Sequence, residues 1–216
     1  EESRWIQASE SLRRAIEKRL GEVHIALVTT PRRMPEKTDY VVTRGDSLQV
    51  IANRFGTTVD LIEKSNAIPD PNLIKIGDRL RVLSADFTLT ADKSTRELIV
   101  RMDERFFKRY AIGTGKYGRT PAGTFEIREK IKEPVWWRPD GREIPFGDPE
   151  NILGTRWMSL RATGETEDVR GYGIHGTWDN DSIGEASSAG CIRMHNADVE
   201  ELYRLLPVGT RVTIVE

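Results

Sequence analysis

The chain has 216 residues, 38% of them apolar and 31% charged, with 33 basic against 34 acidic side chains for a net charge of -1. This is the composition of an ordinary soluble globular protein; no block of like charge marks a nucleic-acid binder, and no run nears the roughly 18 apolar residues that span a bilayer. The length suits one large domain or two or three small ones, and the start at Glu1-Glu2 rather than Met reads as a processed or trimmed product.

Residues 4–20 predict an amphipathic helix, with Trp5, Leu12, Ile16 and Leu20 at roughly helical spacing among charged neighbours and Gly21 as its stop signal. Val23–Thr30 carries a β-branched bias, and Pro31 and Pro35 mark a linker. Nothing in residues 1–37 suggests chemistry, so the segment reads as a packing element or spacer.

Residues 38–84 predict a compact strand–helix–helix–strand unit. Tyr40-Val41-Val42 is a strand, and Gly45-Asp46-Ser47 a turn that supplies a helix N-cap. Leu48, Ile51, Ala52 and Phe55 then make one apolar helical face that Gly56 ends. Thr57 or Thr58 caps a second helix to Asn66, and Arg79–Val82 alternates polar and apolar as a half-buried strand does. A small core of Leu48, Ile51, Phe55, Ile62, Leu80 and Val82 follows. The run YVVTRGDSLQVIANRFGTTVDLIEKSNAI…IKIGDRLRVL resembles the LysM family almost end to end. The resemblance implies a βααβ fold and binding of N-acetylglucosamine-containing glycans in a shallow groove. That groove is expected between Gly45, Asp46, Ser47 and Leu48 on one side and Ala67, Ile68 and Pro69 on the other.

Residues 85–216 read mainly as strands: 87–90, 97–102, 107–112, 125–128, 158–160, 173–175 and 212–215. One helix stands out, with Asn196 as its cap, Val199, Leu202, Tyr203 and Leu206 on its apolar face, and Pro207 and Gly209 closing it. The expected fold is therefore mixed: a βααβ module followed by a mainly β, sandwich- or barrel-like domain with a C-terminal helix.

Two of the three histidines, His175 and His195, and the only cysteine, Cys191, lie within 21 residues. A thiol becomes a nucleophile when an imidazole takes its proton, and flanking glycines let backbone amides approach a developing oxyanion. This pattern suggests acyl transfer through a thioester. A zinc cluster would need further ligands such as Asp179 or Asp181, and both histidines could instead be satisfied core residues. Spacing alone does not say which histidine is the base.

GYGIHGT…SIGEASSAGCIRMHN resembles the catalytic signature of the L,D-transpeptidases, and GTGKYGRTPAGTFEI and GTRWMSL fit the same family. The resemblance implies Cys191 as nucleophile, His175 as general base, the Gly176 carbonyl as the group holding the imidazole, and the amides of Gly190 and Cys191 as the oxyanion hole. Arg193 is expected to support the site, and Ala189 stands where many members have histidine. Tyr172, Trp178, Ser188 and Ala189 are the expected substrate contacts, with Trp136 and Trp137 further candidate cleft aromatics. The implied reaction needs no metal or organic cofactor, releases D-alanine from a stem tetrapeptide, and passes the acyl group to an amine. It also implies acylation by carbapenems. An L,D-carboxypeptidase with water as acceptor and a non-catalytic wall-binding protein are the alternatives. The partners are then the stem peptides and glycan strands of peptidoglycan, with no nucleic acid, and the location is extracytoplasmic, in the periplasm or cell wall.

Overall fold

The computed structural model describes residues 2–216, with side chains from residue 9 onward. The chain forms two compact units, Glu1–Asp86 with Val100–Arg109, and Phe87–Ile99 with Tyr110–Glu216. Among the described residues no helix is both long and apolar enough to cross a membrane.

In the first unit, α1 runs unbroken over Glu2–Val28. The expected stop at Gly21 and the extended bias after it do not hold. A mid-helix glycine costs only about 1 kcal/mol, and here it makes room, since a Cβ at Gly21 would lie 2.8 Å from Lys108 Cγ. The expected apolar face is also turned outward: Leu12, Ile16 and Leu20 are 62%, 51% and 42% exposed. The inward face carries Glu17, which pairs with Arg109 at 2.9 Å, Gly21, and His24, whose ring stacks on Phe107 at 5.3 Å. The Trp5 side chain lies outside the described residues. Lys37 Nζ donates to the carbonyls of Leu27 and Thr30 at 2.6 and 2.5 Å, satisfying the end of α1. Burial among these groups holds the Lys37 amine down at about 8.

The rest of this unit is β1 (Lys37–Val41), α2 (Leu48–Phe55), α3 (Val59–Asn66) and β2 (Arg79–Leu83), with β1 and β2 antiparallel. The caps fall where the sequence puts them. Ser47 accepts from Val50 N–H and Thr58 from Leu61 N–H, each satisfying an otherwise orphaned helix amide. Val42, Leu48, Ile51, Ala52, Ile62, Leu80 and Val82 form the core, and Phe55 packs against it half-buried.

The remaining elements follow in chain order as β3 (Phe87–Asp92), β4 (Glu97–Met102), β5 (Arg105–Ala111), β6 (Thr114–Gly115), β7 (Gly123–Lys132), β8 (Trp136–Trp137), β9 (Glu143–Ile144), β10 (Arg156–Ala162), β11 (Gly173–Thr177), β12 (Ala186–Ser188), β13 (Ile192–His195), α4 (Asn196–Leu205) and β14 (Arg211–Val215). The main sheet has eight strands in the order β13-β11-β10-β7-β14-β3-β4-β5, and β6 pairs with β12 and β8 with β9. This is the expected mainly β architecture with a C-terminal helix. Val199, Leu202, Tyr203 and Leu205 of α4 are buried, and the helix packs over β10, β11 and β13. Lys130 Nζ satisfies the last carbonyls of α4, donating to Tyr203 and Leu206. Asn196 is the first residue of α4 rather than its cap, a position His195 takes. The Asn196 side chain instead accepts from Thr155 N–H at 3.1 Å.

Candidate active site

The site lies where three adjacent strands meet. β11 runs antiparallel to β10 and parallel to β13, and the register sets Trp157 opposite His175 and His175 opposite Arg193. Side chains directly opposite one another share a face of the sheet, so the indole, imidazole and guanidinium form one row. Ile174, Met158 and Ile192 point to the other face and are 0–1% exposed. Cys191 precedes β13, two residues before Arg193, and the period of a strand returns it to the same side.

Cys191, His175 and Arg193 line one cavity of about 730 Å³ with Ser188, Ala189 and a largely apolar wall that includes Trp136, Trp137, Trp157, Ile131 and Leu153. His175 is 2% exposed. Its Nδ1 lies 2.6 Å from the Gly176 carbonyl oxygen. A carbonyl only accepts, so Nδ1 carries the proton and, in the neutral ring, Nε2 keeps its lone pair. The Trp157 ring stacks on the imidazole at 5.7 Å. Burial pushes the His175 pKa down to about 4; the carbonyls of Gly176 and Leu153 oppose this, and the Arg193 charge adds to it. The His175 imidazole is therefore neutral at physiological pH.

The Cys191 sulfur sits 3.6 Å from the Gly171 carbonyl oxygen, a partner to which only the protonated thiol donates. Burial raises the thiol pKa, while a hydrogen bond from Gly173 N–H and the Arg193 charge lower it. Arg193 thus favours the reactive form of both groups, thiolate and neutral imidazole. Its Nη1 reaches Ser187 Oγ at 3.4 Å, and its buried Nε has no partner.

Several expected residues take other roles. Gly190 N–H donates to Ser188 Oγ at 3.0 Å, and that hydroxyl donates to the Cys191 carbonyl at 2.7 Å. The Gly190 amide is thereby engaged, which leaves the Cys191 amide as the expected oxyanion donor. Trp178 does not line the cavity; it is 53% exposed and packs beside Phe146. Tyr172 lines a neighbouring cavity with Trp157 and backs Gly190, where a Cβ would lie 2.5 Å from its ring. Gly190 itself has φ +145°, a conformation that glycine adopts without strain. His195 stays apart, with Nδ1 3.0 Å from Asn180 Oδ1. Trp157 was missed because only the strand register brings it to His175.

In the βααβ unit the residues of the expected groove have their own structural partners. The Asp46 carboxylate accepts from Tyr40 Oη, Thr43 N–H and Thr43 Oγ1 at 2.6, 2.8 and 2.9 Å, and these bonds hold its pKa down. Ser47 is the cap of α2 and Leu48 is core, 2% exposed. Ala67, Ile68 and Pro69 line a cavity of about 320 Å³ together with Leu73, Ile74 and Asp78–Leu80.

Residues 86–214 match the model of YkuD, the L,D-transpeptidase catalytic domain, and residues 40–83 match that of the LysM domain. A Bacillus subtilis protein named as an L,D-transpeptidase, YqjB, is 41% identical over 135 residues, 62% of this chain and 74% of that protein. Another from the same organism, YkuD, is 32% identical over 192 residues, 81% of this chain and 97% of its own. Among solved structures, an L,D-transpeptidase from Mycobacterium smegmatis matches with a TM-score of 0.47 at 24% identity, over 66% of this chain and 65% of that one. The chain belongs to the L,D-transpeptidase family and carries a LysM domain before its catalytic domain.

Proposed function

We propose that this protein is a peptidoglycan L,D-transpeptidase working through a thioacyl-enzyme on Cys191. His175 Nε2 accepts the thiol proton as sulfur attacks the carbonyl of the third residue of a stem tetrapeptide, and the oxyanion forms against the Cys191 amide. The carbon–nitrogen bond breaks, His175 returns its proton to the departing D-alanine amine, and a thioester remains. An amine of a second stem then attacks; its proton passes to His175, and the sulfur leaves as the thiolate and is reprotonated. Arg193 favours the thiolate or meets a substrate carboxylate, and Ser188 and Ala189 contact the peptide.

One observation carries the reading. The only cysteine and a histidine whose Nδ1 is committed to a carbonyl open onto the same cavity, so the free nitrogen serves as base toward that thiol. The LysM domain is proposed to hold glycan strands of the same polymer, which puts the protein's work outside the cytoplasmic membrane. Incubation with purified tetrapeptide muropeptides, with products identified by mass, tests the function. Cross-linked dimer is expected; shortened monomer would mean a carboxypeptidase, and unchanged substrate a binding protein.

A further inference from the structure

The loop that runs from β6 into β7 contains a buried hydroxyl with no place in the chemistry above. Thr120 is 1% exposed. Its Oγ1 accepts from Gly115 N–H at 2.8 Å and donates to the Gly190 carbonyl at 2.8 Å, using its single proton and one lone pair. The Gly190 carbonyl belongs to the peptide whose N–H is that of Cys191. In a trans peptide the C=O and N–H point to opposite sides of the bond. Thr120 draws the carbonyl into the interior, behind the site, and the Cys191 N–H faces the other way. Cys191, Ser188 and Ala189 line the cavity and Thr120 does not, so that other way is the cavity side.

Close packing holds the arrangement. β6 pairs with β12, with Gly115 opposite Ser188, and a Cβ on Gly115 would lie 2.8 Å from Gly190 Cα and 2.9 Å from Thr120 N. A Cβ on Gly190 would in turn meet the Tyr172 ring at 2.5 Å and the Arg119 carbonyl oxygen at 3.2 Å. With the Gly190 amide engaged by Ser188, the orientation of the next peptide decides whether any main-chain donor of this pair meets the oxyanion. We infer that Thr120 is a positioning residue, which turns the Gly190–Cys191 peptide so that the Cys191 amide stabilises the tetrahedral intermediate. This rests on the reading of Cys191 as the acylated nucleophile.

The test compares two reactions of one thiol in the full-length protein. Acylation by imipenem builds an oxyanion; alkylation by iodoacetamide displaces iodide and builds none. Thr120→Val keeps the shape and removes the hydroxyl, and Thr120→Ser keeps the hydroxyl. The expected result for T120V is an acylation rate about tenfold to a hundredfold lower, somewhat less than deletion of an oxyanion donor, with the alkylation rate unchanged. T120S should acylate close to the wild-type rate, and with peptide substrate the loss in T120V should fall on kcat rather than KM. Equal losses in both reactions, or no loss in either, would overturn the inference. Should T120V not fold, Thr120→Ala against T120S decides by the same comparison of rates. A wild type that imipenem does not acylate would instead sink the reading of Cys191, and this inference with it.

Discussion

Acidification should weaken this protein through one buried imidazole. His175 is taken from its ordinary value of 6.5 to about 4 in the folded state. Between those values the unfolded chain binds a proton that the folded chain refuses, so stability falls as pH falls through this window and is fully present only above about 6.5. The displacement of about 2.5 pH units corresponds to about 3 kcal/mol, at about 1.4 kcal/mol per unit. A domain of ordinary stability, about 5–15 kcal/mol, would feel that loss clearly. Urea unfolding at a series of pH values from 7.5 to 4 measures it, followed by fluorescence, to which Trp136, Trp137, Trp157 and Trp178 of the second unit contribute. The quantity of interest is the difference between wild type and His175→Gln, in which the group cannot charge, so that every contribution common to both proteins cancels. The wild type should lose about 3 kcal/mol more than the variant across the window. Parallel curves for the two proteins would refute the argument, because they would mean that folding leaves the imidazole pKa where it was.

Other perturbations follow from the same geometry. Gly176→Ala should cut kcat/KM by about tenfold or more, because a Cβ there collides with Asn196 Oδ1 and shifts the carbonyl that orients the base; near-wild-type kinetics would remove Gly176 from that role. His175→Ala should lose about a hundredfold in turnover, as expected for a missing general base, and His195→Ala far less, since its ring meets Asn180; steady-state kinetics on the two variants check the ranking. Leu73→Asp should weaken retention on peptidoglycan sacculi in a pull-down without changing turnover of soluble muropeptides. Leu73 lines the LysM cavity and is already 58% exposed, so the change spares the fold. It is a cleaner probe than deleting residues 1–83, which would also uncover Phe107, 1% exposed beneath α1, and take Glu17 from Arg109.

Local features were legible in the sequence where short-range chemistry decides them. Ser47 and Thr58 cap the LysM helices as side-chain acceptors followed by apolar periodicity must, and the β-rich runs marked seven of the eight main-sheet strands, leaving out β13. The pair His175 and Gly176 was legible only through the resemblance to the L,D-transpeptidase signature, since spacing alone left His175 and His195 both open as the base. What the sequence hid depends on partners distant along it. Helical periodicity identified α1, but which face is buried was decided by Phe107, Lys108 and Arg109, and the polar face won because Glu17 and His24 find partners there. Gly21 looked like a terminator because local rules do not see the Lys108 side chain that needs its space. Trp157 and Thr120 lie in the family-like runs GTRWMSL and GTGKYGRTPAGTFEI, but what each touches depends on strand register and a loop crossing that local spacing does not show. Trp178, an expected substrate contact, lies beyond the end of β11 and packs beside Phe146.

The central claim is that Cys191 takes an acyl group from a stem peptide with His175 as base. Intact-protein mass spectrometry after brief mixing with a tetrapeptide muropeptide, followed by proteolysis to locate the adduct, tests it most directly. The account predicts a mass increase equal to the muropeptide less D-alanine, carried by the peptide containing Cys191, and no such adduct in Cys191→Ala. An adduct on any other residue, or product formed at the wild-type rate by Cys191→Ala, would contradict it.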